Sequence, residues 1–366
     1  MIIGESRPES SFLVLATSFA PELRSPALRP RVYPRTDYVE LARLVDCDIL
    51  DYALYDTGVC RRTWRSLERR LRLDFHLALS GYRRARRYGA VLLMSERVAI
   101  PFMMLQRAFG RRSATVFVSA HSSSKQARLV KSMGIFSGLD IAVSNTHAQK
   151  QFLVEEMGIP ESRIRYVLYA ADERFFTPEG QPTDYVFSAG GIAGRDYPTL
   201  FQAVTGLPVQ VKIAASGRAY GPGAWRNLPS IPPNVKMLSP MDYTGMRDTY
   251  RRCSLVVVPL SGERRDAAGC SIVLEGMCCG KTVIASRTRG MEDYIRSGRT
   301  GLLVPPGDPG EMRTAILRAF DDSQTESADL GGAARAECEG RLSMDSLVGG
   351  LADAAREAAG CPACVA

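Results

Sequence analysis

Residues 255–308, LVVVPLSGERRDAAGCSIVLEGMCCGKTVIASRTRGMEDYIRSGRTGLLVPPGD, decide the fold. The first apolar run, residues 255–258, predicts a buried strand, and a glycine-containing loop leads from it to a helix at residues 271–280. A second apolar run at residues 282–285 predicts another strand. Strand, helix and strand in this order form a βαβ unit, whose crossover places the two strands side by side in a parallel sheet. We therefore expect a ligand site where the first strand ends.

The loop between the first strand and the helix predicts an anion site. Its residues are Asp266, Ala267, Ala268, Gly269, Cys270 and Ser271. Free N–H groups at a helix N-terminus favour phosphate, and a glycine allows close approach. One turn later, the Glu275 carboxylate could accept hydrogen bonds from the vicinal hydroxyls of a ribose. Together these features indicate a nucleotide, although an ordinary crossover with a solvated Glu275 also fits the local spacing.

Composition and charge limit the class of protein. The chain has 366 residues, enough for two domains with separate cores, and lacks an apolar run long enough to cross a bilayer. Its nine cysteines are scattered, so we expect neither a disulfide framework nor a metal site, and CPAC at residues 361–364 has no second pair. The N-terminus has no signal-peptide pattern, which predicts a cytoplasmic protein.

The net charge of +8 is concentrated in residues 61–112, where arginines greatly outnumber acids. Apolar residues recur among them at helical spacing. This pattern predicts peripheral contact with an anionic membrane or an acidic acceptor, but a solvated arginine-rich surface explains it equally well. Nucleic-acid motifs are absent and aromatics are sparse in this region, so we expect no nucleic-acid partner.

The first half of the chain alternates strand and helix patterns. We expect strands at residues 11–16, 47–50, 88–95, 114–120, 140–144 and 163–172, and helices at residues 38–45, 61–88 with a break near Gly81, and 100–109. Thr146 is an expected N-cap. His121 follows the strand that ends at residue 120, at the edge where doubly wound sheets bind ligands. It is a candidate site residue, and a loop histidine without function is the alternative.

A second alternating series begins after the linker TPEGQPT at residues 177–183. A strand at residues 185–191 ends in Gly190 and Gly191, and a helix is expected from residue 194. The two glycines let the backbone approach a diphosphate, and Arg195 follows at a spacing suited to neutralising it. Strands at residues 209–216 and 234–238 and helices at residues 243–252, 311–320 and 344–359 complete the series. We expect an acidic loop between the last two helices.

These segments together resemble the donor-binding domain of the retaining glycosyltransferases of family 4, which have the GT-B fold. The residues that carry the resemblance are LEGMCCGKTVIAS, then RG, DYI and GRTGLLVPPGD. The resemblance implies two Rossmann-like domains facing each other across a cleft. It places an acceptor-binding domain at residues 1–178, a nucleotide-sugar-binding domain at residues 184–342, and a C-terminal helix and tail at residues 343–366 that cross back to the first domain.

The resemblance also implies roles for single residues. His121 would face the sugar, Pro240 and Met241 would pack against the base, and the N–H groups from Gly269 to Ile272 would bind the diphosphate together with Arg195. Ile192 stands where the family has a second cation, which shifts charge onto Arg195 and onto Arg218 or Lys281. Ala267 stands where the family has a first glutamate, so backbone groups of residues 267–270, Asp266 or Glu263 would hold the sugar.

The implied activity is metal-free transfer of a sugar from a nucleotide-sugar donor to a hydroxyl acceptor, with retention of configuration. UDP is the first expected nucleotide and GDP the second, and a glycan, glycolipid or small natural product is the expected acceptor. No cofactor other than the nucleotide sugar is implied. Two alternatives remain: a nucleotide-sugar epimerase or phosphorylase of the same fold, and a catalytically idle sugar-nucleotide-binding subunit.

Overall fold

A computed structural model of the chain describes residues 11–18, 32–52, 68, 70–118, 124–180, 183, 185–190, 195–214, 230–262, 269–320 and 330–360. The chain forms two compact units. The first contains residues 1–26, 36–168 and 347–366, and the second contains residues 27–35 and 169–346. The boundary expected at residue 178 therefore differs from the one observed, since the linker TPEGQPT lies within the second unit.

The first unit is built on a six-stranded parallel sheet. Its elements are β1 (Phe12–Leu15), α1 (Asp37–Leu44), β2 (Cys47–Leu50), α2 (Phe75–Arg84), β3 (Ala90–Leu93), α3 (Glu96–Phe109), β4 (Ala114–Val118), α4 (Ser124–Ser132), β5 (Ile141–Ser144), α5 (His147–Glu155) and β6 (Ile164–Tyr166). The strand order is β2-β1-β3-β4-β5-β6, and every pairing is parallel. Strands β1, β3, β4 and β5 are buried along their whole length, as expected for a sheet covered on both faces.

Gly81 does not break a helix, contrary to the prediction. It lies inside α2, where an added Cβ atom would be 2.5 Å from the Leu15 side chain of β1. The glycine therefore allows the helix to pack closely on the sheet. The real interruption precedes α2, at Arg72, whose φ of 54° is left-handed and ends the helical turn around residues 70–71.

The second unit has the strand order of a nucleotide-binding Rossmann fold. Its elements are β7 (Tyr185–Ala189), α6 (Tyr197–Val204), β8 (Gln210–Ala214), β9 (Val235–Met237), α7 (Tyr243–Arg252), β10 (Leu255–Val258), α8 (Cys270–Cys278), β11 (Thr282–Ser286), β12 (Leu302–Val304), α9 (Pro309–Phe320) and α10 (Leu330–Glu339). The strands lie in the order β9-β8-β7-β10-β11-β12, all parallel. In this order the sequence direction reverses between β7 and β10, where Rossmann folds bind their ligands.

Two elements of the second unit differ from the prediction. The segment expected to be an acidic loop contains the helix α10, which packs so closely on the end of α8 that a Cβ atom on Gly331 would clash with the Gly280 carbonyl. Two adjacent glycines, Gly331 and Gly332, lower the helix propensity at its start. The helix expected from residue 194 begins at Tyr197, because the Asp196 side chain accepts a hydrogen bond from the Thr199 N–H and caps it.

The last helix, α11 (Met344–Ala358), begins in the second unit, and its residues from Leu347 onward belong to the first. Within the first unit, Gly350 lies against Val167, and an added Cβ atom would be 2.7 Å from a Val167 methyl group. Arg165 and Glu357 form an ion pair beside this contact. The helix is thus part of the first unit's packing.

Candidate functional site

The site lies at the carboxyl ends of β7 and β10, in the second unit. The loops that follow these strands are joined by backbone contacts: Arg195 pairs with Leu260 in an antiparallel bridge, and the Asp196 N–H donates to the Pro259 carbonyl at 3.1 Å. This is the point where the strand order reverses. The predicted position of the ligand site, deduced from the βαβ pattern alone, therefore coincides with the switch point of the sheet.

The Arg195 guanidinium lies against two glycines. Its Nε donates to the Ala189 carbonyl at 3.1 Å, and a Cβ atom built on Gly190 would be 2.6 Å from Nε. A Cβ atom on Gly269 would be 3.3 Å from Nη1. Gly190 and Gly269 also have φ values of 120° and 91°, which other residues rarely adopt. The glycines are thus required both for the loop conformations and for the space that the guanidinium occupies.

The N-terminus of α8 supplies the second group of anion-binding donors. Gly269 is the N-cap of this helix, which begins at Cys270. The N–H groups of Cys270, Ser271 and Ile272 belong to its first turn, where backbone donors have no acceptor within the helix. The positive end of the helix dipole and a guanidinium are therefore directed to the same place, which suits a diphosphate.

An open cavity of about 290 Å³ lies beside these donors. Its lining residues come from the ends of three neighbouring strands and from two helices: Ala189, Gly190, Ala214, Leu238, Ser239, Pro240, Met241, Met246, Ile272 and Glu275. The structure thus brings together five of the predicted site residues, which are Gly190, Pro240, Met241, Ile272 and Glu275. The mostly apolar lining with one carboxylate suits a base and a ribose.

Glu275 is a partly buried carboxylate at the edge of this cavity. Burial raises its pKa to about 7, and the nearby Tyr250 hydroxyl opposes the rise. Tyr250 is fully buried beside Glu275, and burial followed by the charge of Glu275 raises the pKa of its hydroxyl well above the usual value. Because the Glu275 carboxylate lines the cavity, it is placed to accept hydrogen bonds from the hydroxyls of a ribose bound there.

Several predicted residues lie outside the described parts of the chain: His121, Gly191, Arg218, Asp266, Ala267 and Ala268. Their predicted roles remain predictions. Lys281 is described, and its proposed share of the phosphate charge is wrong. It precedes β11, at the amino edge of the sheet, and its Nζ donates to the Arg251 carbonyl at 2.7 Å. The ligand site is at the opposite, carboxyl edge.

Sequence reasoning missed part of the cavity wall. Ala214, Leu238 and Met246 line it but belong to segments without a motif. Ala214 ends β8, a neighbour of β7, so the strand order would have indicated it. Tyr250 was also missed. It lies on the buried face of α7, and only the three-dimensional packing places it beside Glu275.

The basic region at residues 61–112 is not one continuous amphipathic face in the part that the structure describes. Arg97 pairs with Asp74, and Arg112 lies 4.1 Å from the centre of the Tyr82 ring. Arg83, Arg86 and Arg87 are exposed at the end of α2 and in the short 3₁₀ helix after it. The described arginines thus divide into a structural group and a solvated group.

The described residues also bear on membrane insertion and on metal binding. Within them, no helix combines the length and the apolar character needed to cross a bilayer. The same residues contain no group of three or more histidine, cysteine, aspartate or glutamate side chains arranged to hold a metal ion. The predictions of a cytoplasmic location and of a metal-free reaction remain predictions.

Comparison with known proteins connects this site with a family. Residues 197–322 match the family model described as glycosyl transferases group 1. D-inositol 3-phosphate glycosyltransferase 2 of Catenulispora acidiphila is 25% identical over 257 residues, which are 63% of this chain and 59% of that protein. The resemblance to the group 1 glycosyltransferases is confirmed. The family match covers the part of the chain from α6 to the end of α9, which includes Glu275 and the N-terminus of α8.

Other relatives of group 1 type have similar coverage. The D-inositol 3-phosphate glycosyltransferase of Acidothermus cellulolyticus is 23% identical over 72% of this chain and 63% of its own length. The chain therefore spans about three fifths of the length of these curated relatives.

Solved structures show the fold. HepE of Anabaena, determined in complex with UDP and glucose, has a TM-score of 0.68 at 14% identity, covering 94% of this chain and 99% of its own. A glycosyltransferase from Rickettsia africae has a TM-score of 0.69 at 12% identity, covering 96% and 99%. The predicted GT-B fold, with two Rossmann-like units, is confirmed.

Proposed function

We propose that the chain is a glycosyltransferase that moves a sugar from a nucleotide-sugar donor to a hydroxyl acceptor. The observation that carries the proposal is the position of the Arg195 guanidinium, next to both Gly190 and Gly269 and close to the first turn of α8. A fixed cation and helix N–H groups at one point suit the diphosphate of a donor. The family match over residues 197–322 supports the same assignment.

The donor in this proposal is a nucleoside diphosphate sugar bound by the second unit. The base lies against Pro240 and Met241, the ribose hydroxyls bond to Glu275, and the diphosphate reaches Arg195. UDP is the first nucleotide to test because HepE, a structural neighbour, was determined with UDP-glucose, and GDP is the second. The first unit, which replaces the predicted domain at residues 1–178, supplies the acceptor-binding part.

The chemistry follows from where charge develops. When the anomeric C–O bond breaks, the bonding electron pair leaves with the diphosphate, and positive charge builds on the sugar ring. Arg195 and the N–H groups of Cys270, Ser271 and Ile272 stabilise the leaving diphosphate without a metal ion. The acceptor hydroxyl oxygen then bonds to the anomeric carbon on the face from which the diphosphate left, which retains the configuration, and the hydroxyl proton passes to the departing diphosphate oxygen. In this proposal His121 faces the reacting sugar.

A second candidate function is a sugar-nucleotide-binding subunit without catalysis. It is favoured by Ala267, which stands where the family has its first glutamate. The donor-binding contacts described above do not distinguish it from the first candidate, because both functions need a bound nucleotide.

The test is a release assay with the purified chain. UDP-, GDP-, ADP- and dTDP-sugars are incubated with and without a mixture of glycan, inositol and glycolipid acceptors, and free nucleoside diphosphate and glycosylated product are measured. The proposal predicts release that depends on acceptor and a product that retains the donor's anomeric configuration. Nucleotide binding without any release would favour the idle subunit, and isomerised donor sugar without acceptor would favour an epimerase.

Peripheral contact with an anionic membrane is part of the same proposal. The exposed Arg83, Arg86 and Arg87 support it, since each basic residue near an anionic surface contributes about 1 kcal/mol of attraction. Sedimentation with vesicles tests it. Binding to vesicles rich in anionic lipid should disappear when Arg83, Arg86 and Arg87 are all replaced by glutamine; equal binding of both proteins would contradict the proposal.

A further inference from the structure

Residues 32–35 form a short segment of the N-terminal part of the chain that belongs to the second unit. They come after β1 and immediately before α1, which are both elements of the first unit. Two contacts hold this segment on the second unit, one at Arg35 and one at Tyr33. We call residues 32–35 the strap.

Arg35 anchors the strap. Its backbone N–H and its Nε donate to the two oxygens of Asp172 at 2.7 and 2.8 Å, and its Nη2 donates to Glu173 at 2.6 Å. The Arg35 side chain is 12% exposed, and both carboxylates are buried. Charge-assisted, multiply hydrogen-bonded contacts that are shielded from water are the strong kind, so the backbone of the strap is fixed here.

Tyr33 lies two residues before this anchor and contacts helix α7. Its ring packs edge-on against Tyr243, with the ring centres 6.0 Å apart and the planes at 68°. Tyr243 is the first residue of α7 and is 48% exposed even with this contact. The contact therefore holds the N-terminal turn of α7 from its solvent-facing side.

The same turn of α7 holds one wall of the cavity. After Leu238, whose N–H donates to the Ile213 carbonyl at 2.8 Å, the chain leaves the sheet, and Ser239 and Pro240 are exposed. Met241 is the next lining residue. The wall from residue 238 to residue 241 is consequently a loop supported at one end by the sheet and at the other by α7.

Contacts between the loop and α7 link the two. Asp242 caps the helix by accepting from the Gly245 N–H at 2.8 Å, the Met241 side chain packs on Gly245, and the Thr249 hydroxyl lies 3.6 Å from the Met241 sulfur. Met246, one turn into α7, lines the cavity itself. A shift of the first turn of α7 therefore moves both methionines of the wall.

We infer that Tyr33 is a positioning residue for the base-binding wall of the cavity. By holding Tyr243, it fixes the first turn of α7 and thereby Met241 and Met246, although it touches no ligand itself. The inference rests on the proposed function in one respect: the cavity must take the base of a nucleotide. It adds that a residue from the N-terminal part of the chain tunes the affinity for the nucleoside and leaves the diphosphate contacts unchanged.

The test compares nucleotides with a ligand that lacks the base. Calorimetric titrations with UDP, GDP and inorganic pyrophosphate are carried out on the full-length wild type and on Tyr33→Ala. We expect Tyr33→Ala to weaken UDP and GDP binding by about 2- to 10-fold, the range of an edge-on aromatic pair. Pyrophosphate affinity should stay within about 1.5-fold, because Arg195 and the N-terminus of α8 are untouched.

Two further variants serve as controls. Tyr33→Phe keeps the ring and should bind UDP and GDP as the wild type does. Tyr166→Ala removes a comparable aromatic ring from the first unit. Tyr166 is 38% exposed, and its ring centre lies 4.3 Å from that of His147. Tyr166→Ala should leave all three affinities unchanged. A loss of affinity in Tyr166→Ala equal to that in Tyr33→Ala would mean a general effect and would overturn the inference.

Hydrogen exchange gives a readout that needs no ligand. The Met246 N–H bonds to the Asp242 carbonyl in the first turn of α7. Its exchange should accelerate in Tyr33→Ala and not in Tyr33→Phe. If neither the exchange rate of the Met246 N–H nor the UDP affinity changes in Tyr33→Ala, the inference is overturned and the proposed function stands. Failure of the wild type to bind any nucleoside diphosphate would instead overturn the proposed function.

Discussion

The two units have the same kind of sheet but different carboxyl edges. In the first unit, the polar residues after β5 bond to their own unit: the Asn145 N–H donates to Gln149, its Nδ2 donates to the Val167 carbonyl, and Thr146 caps α5. In the second unit, Glu275 lines an open cavity and Arg195 lies beside it. A polar strand end is thus structural where neighbouring groups use its hydrogen bonds, and a ligand site where they face an open volume.

Substitution of Arg195 has the largest expected effect, which is a loss of nucleotide affinity at the edge of the second unit. Arg195→Ala removes the fixed cation from the edge of the second unit and should weaken UDP or GDP binding by about 10- to 100-fold, the value of one or two charge-assisted hydrogen bonds. Arg195→Lys keeps the charge but not the planar fork and should be intermediate. Calorimetric titration measures both.

A matched control is Arg287→Ala, because Arg287 is a half-exposed cation of the same unit that pairs with Glu292. It should bind nucleotide as the wild type does. Equal losses in Arg195→Ala and Arg287→Ala would show that overall charge attracts the nucleotide, and would contradict a built diphosphate site.

Substitution of Glu275 has the next largest expected effect, which is on how the free energy of unfolding depends on pH. Its pKa is about 7 in the folded protein and 4.5 ordinarily. Between these values the folded state holds a proton that the unfolded state has lost, so the free energy of unfolding falls as pH rises from about 4.5 to 7. Glu275→Gln does not titrate and should escape this fall, leaving it about 1 to 3 kcal/mol more stable than wild type at pH 8.

Urea unfolding of both proteins at pH 5 and pH 8 measures the difference. The gap between wild type and Glu275→Gln should be small at pH 5 and open by pH 8. A gap of the same size at both pH values would show that the carboxyl group titrates normally and is well solvated, which would remove the physical reason for assigning it to the cavity.

Alanine substitutions of two glycines, one in each unit, have the smallest expected effects, which are on the free energy of unfolding. Gly269→Ala places a Cβ atom at φ 91° and 3.2 Å from Val258 and Leu260, so we expect a loss of about 1 to 2 kcal/mol in unfolding free energy. Gly349→Ala, in α11, meets no atom within 4 Å and should gain about 0.5 to 1 kcal/mol. Thermal or urea unfolding measures both, and effects of the same sign would contradict the assigned loop geometry.

The fold was largely predictable because buried strands and amphipathic helices leave strong patterns. The patterns predicted β10 with the same bounds as in the structure, and the helix at residues 243–252 likewise. The predictions of helix boundaries were wrong where one residue type occurs in two different structural settings. Gly81 predicted a break but allows close packing on Leu15, and the segment that contains α10 was predicted to be an acidic loop.

The site was predictable where the ligand contacts are local in sequence. Gly269 and Glu275 share one loop and helix, so their spacing was compatible with a nucleotide site, and the family resemblance separated this reading from an ordinary crossover. The support for this site was not predictable. Tyr250 and Tyr33 act through packing with residues that are distant in sequence, and no periodicity records such contacts.

The most direct test of the central claim is a crystal structure of the protein with UDP. The account predicts the diphosphate within about 3 Å of the Arg195 guanidinium and of the N–H groups of Cys270 to Ile272, with the ribose hydroxyls at Glu275 and the base against Pro240 and Met241. A nucleotide bound elsewhere, with this cavity empty, would contradict it.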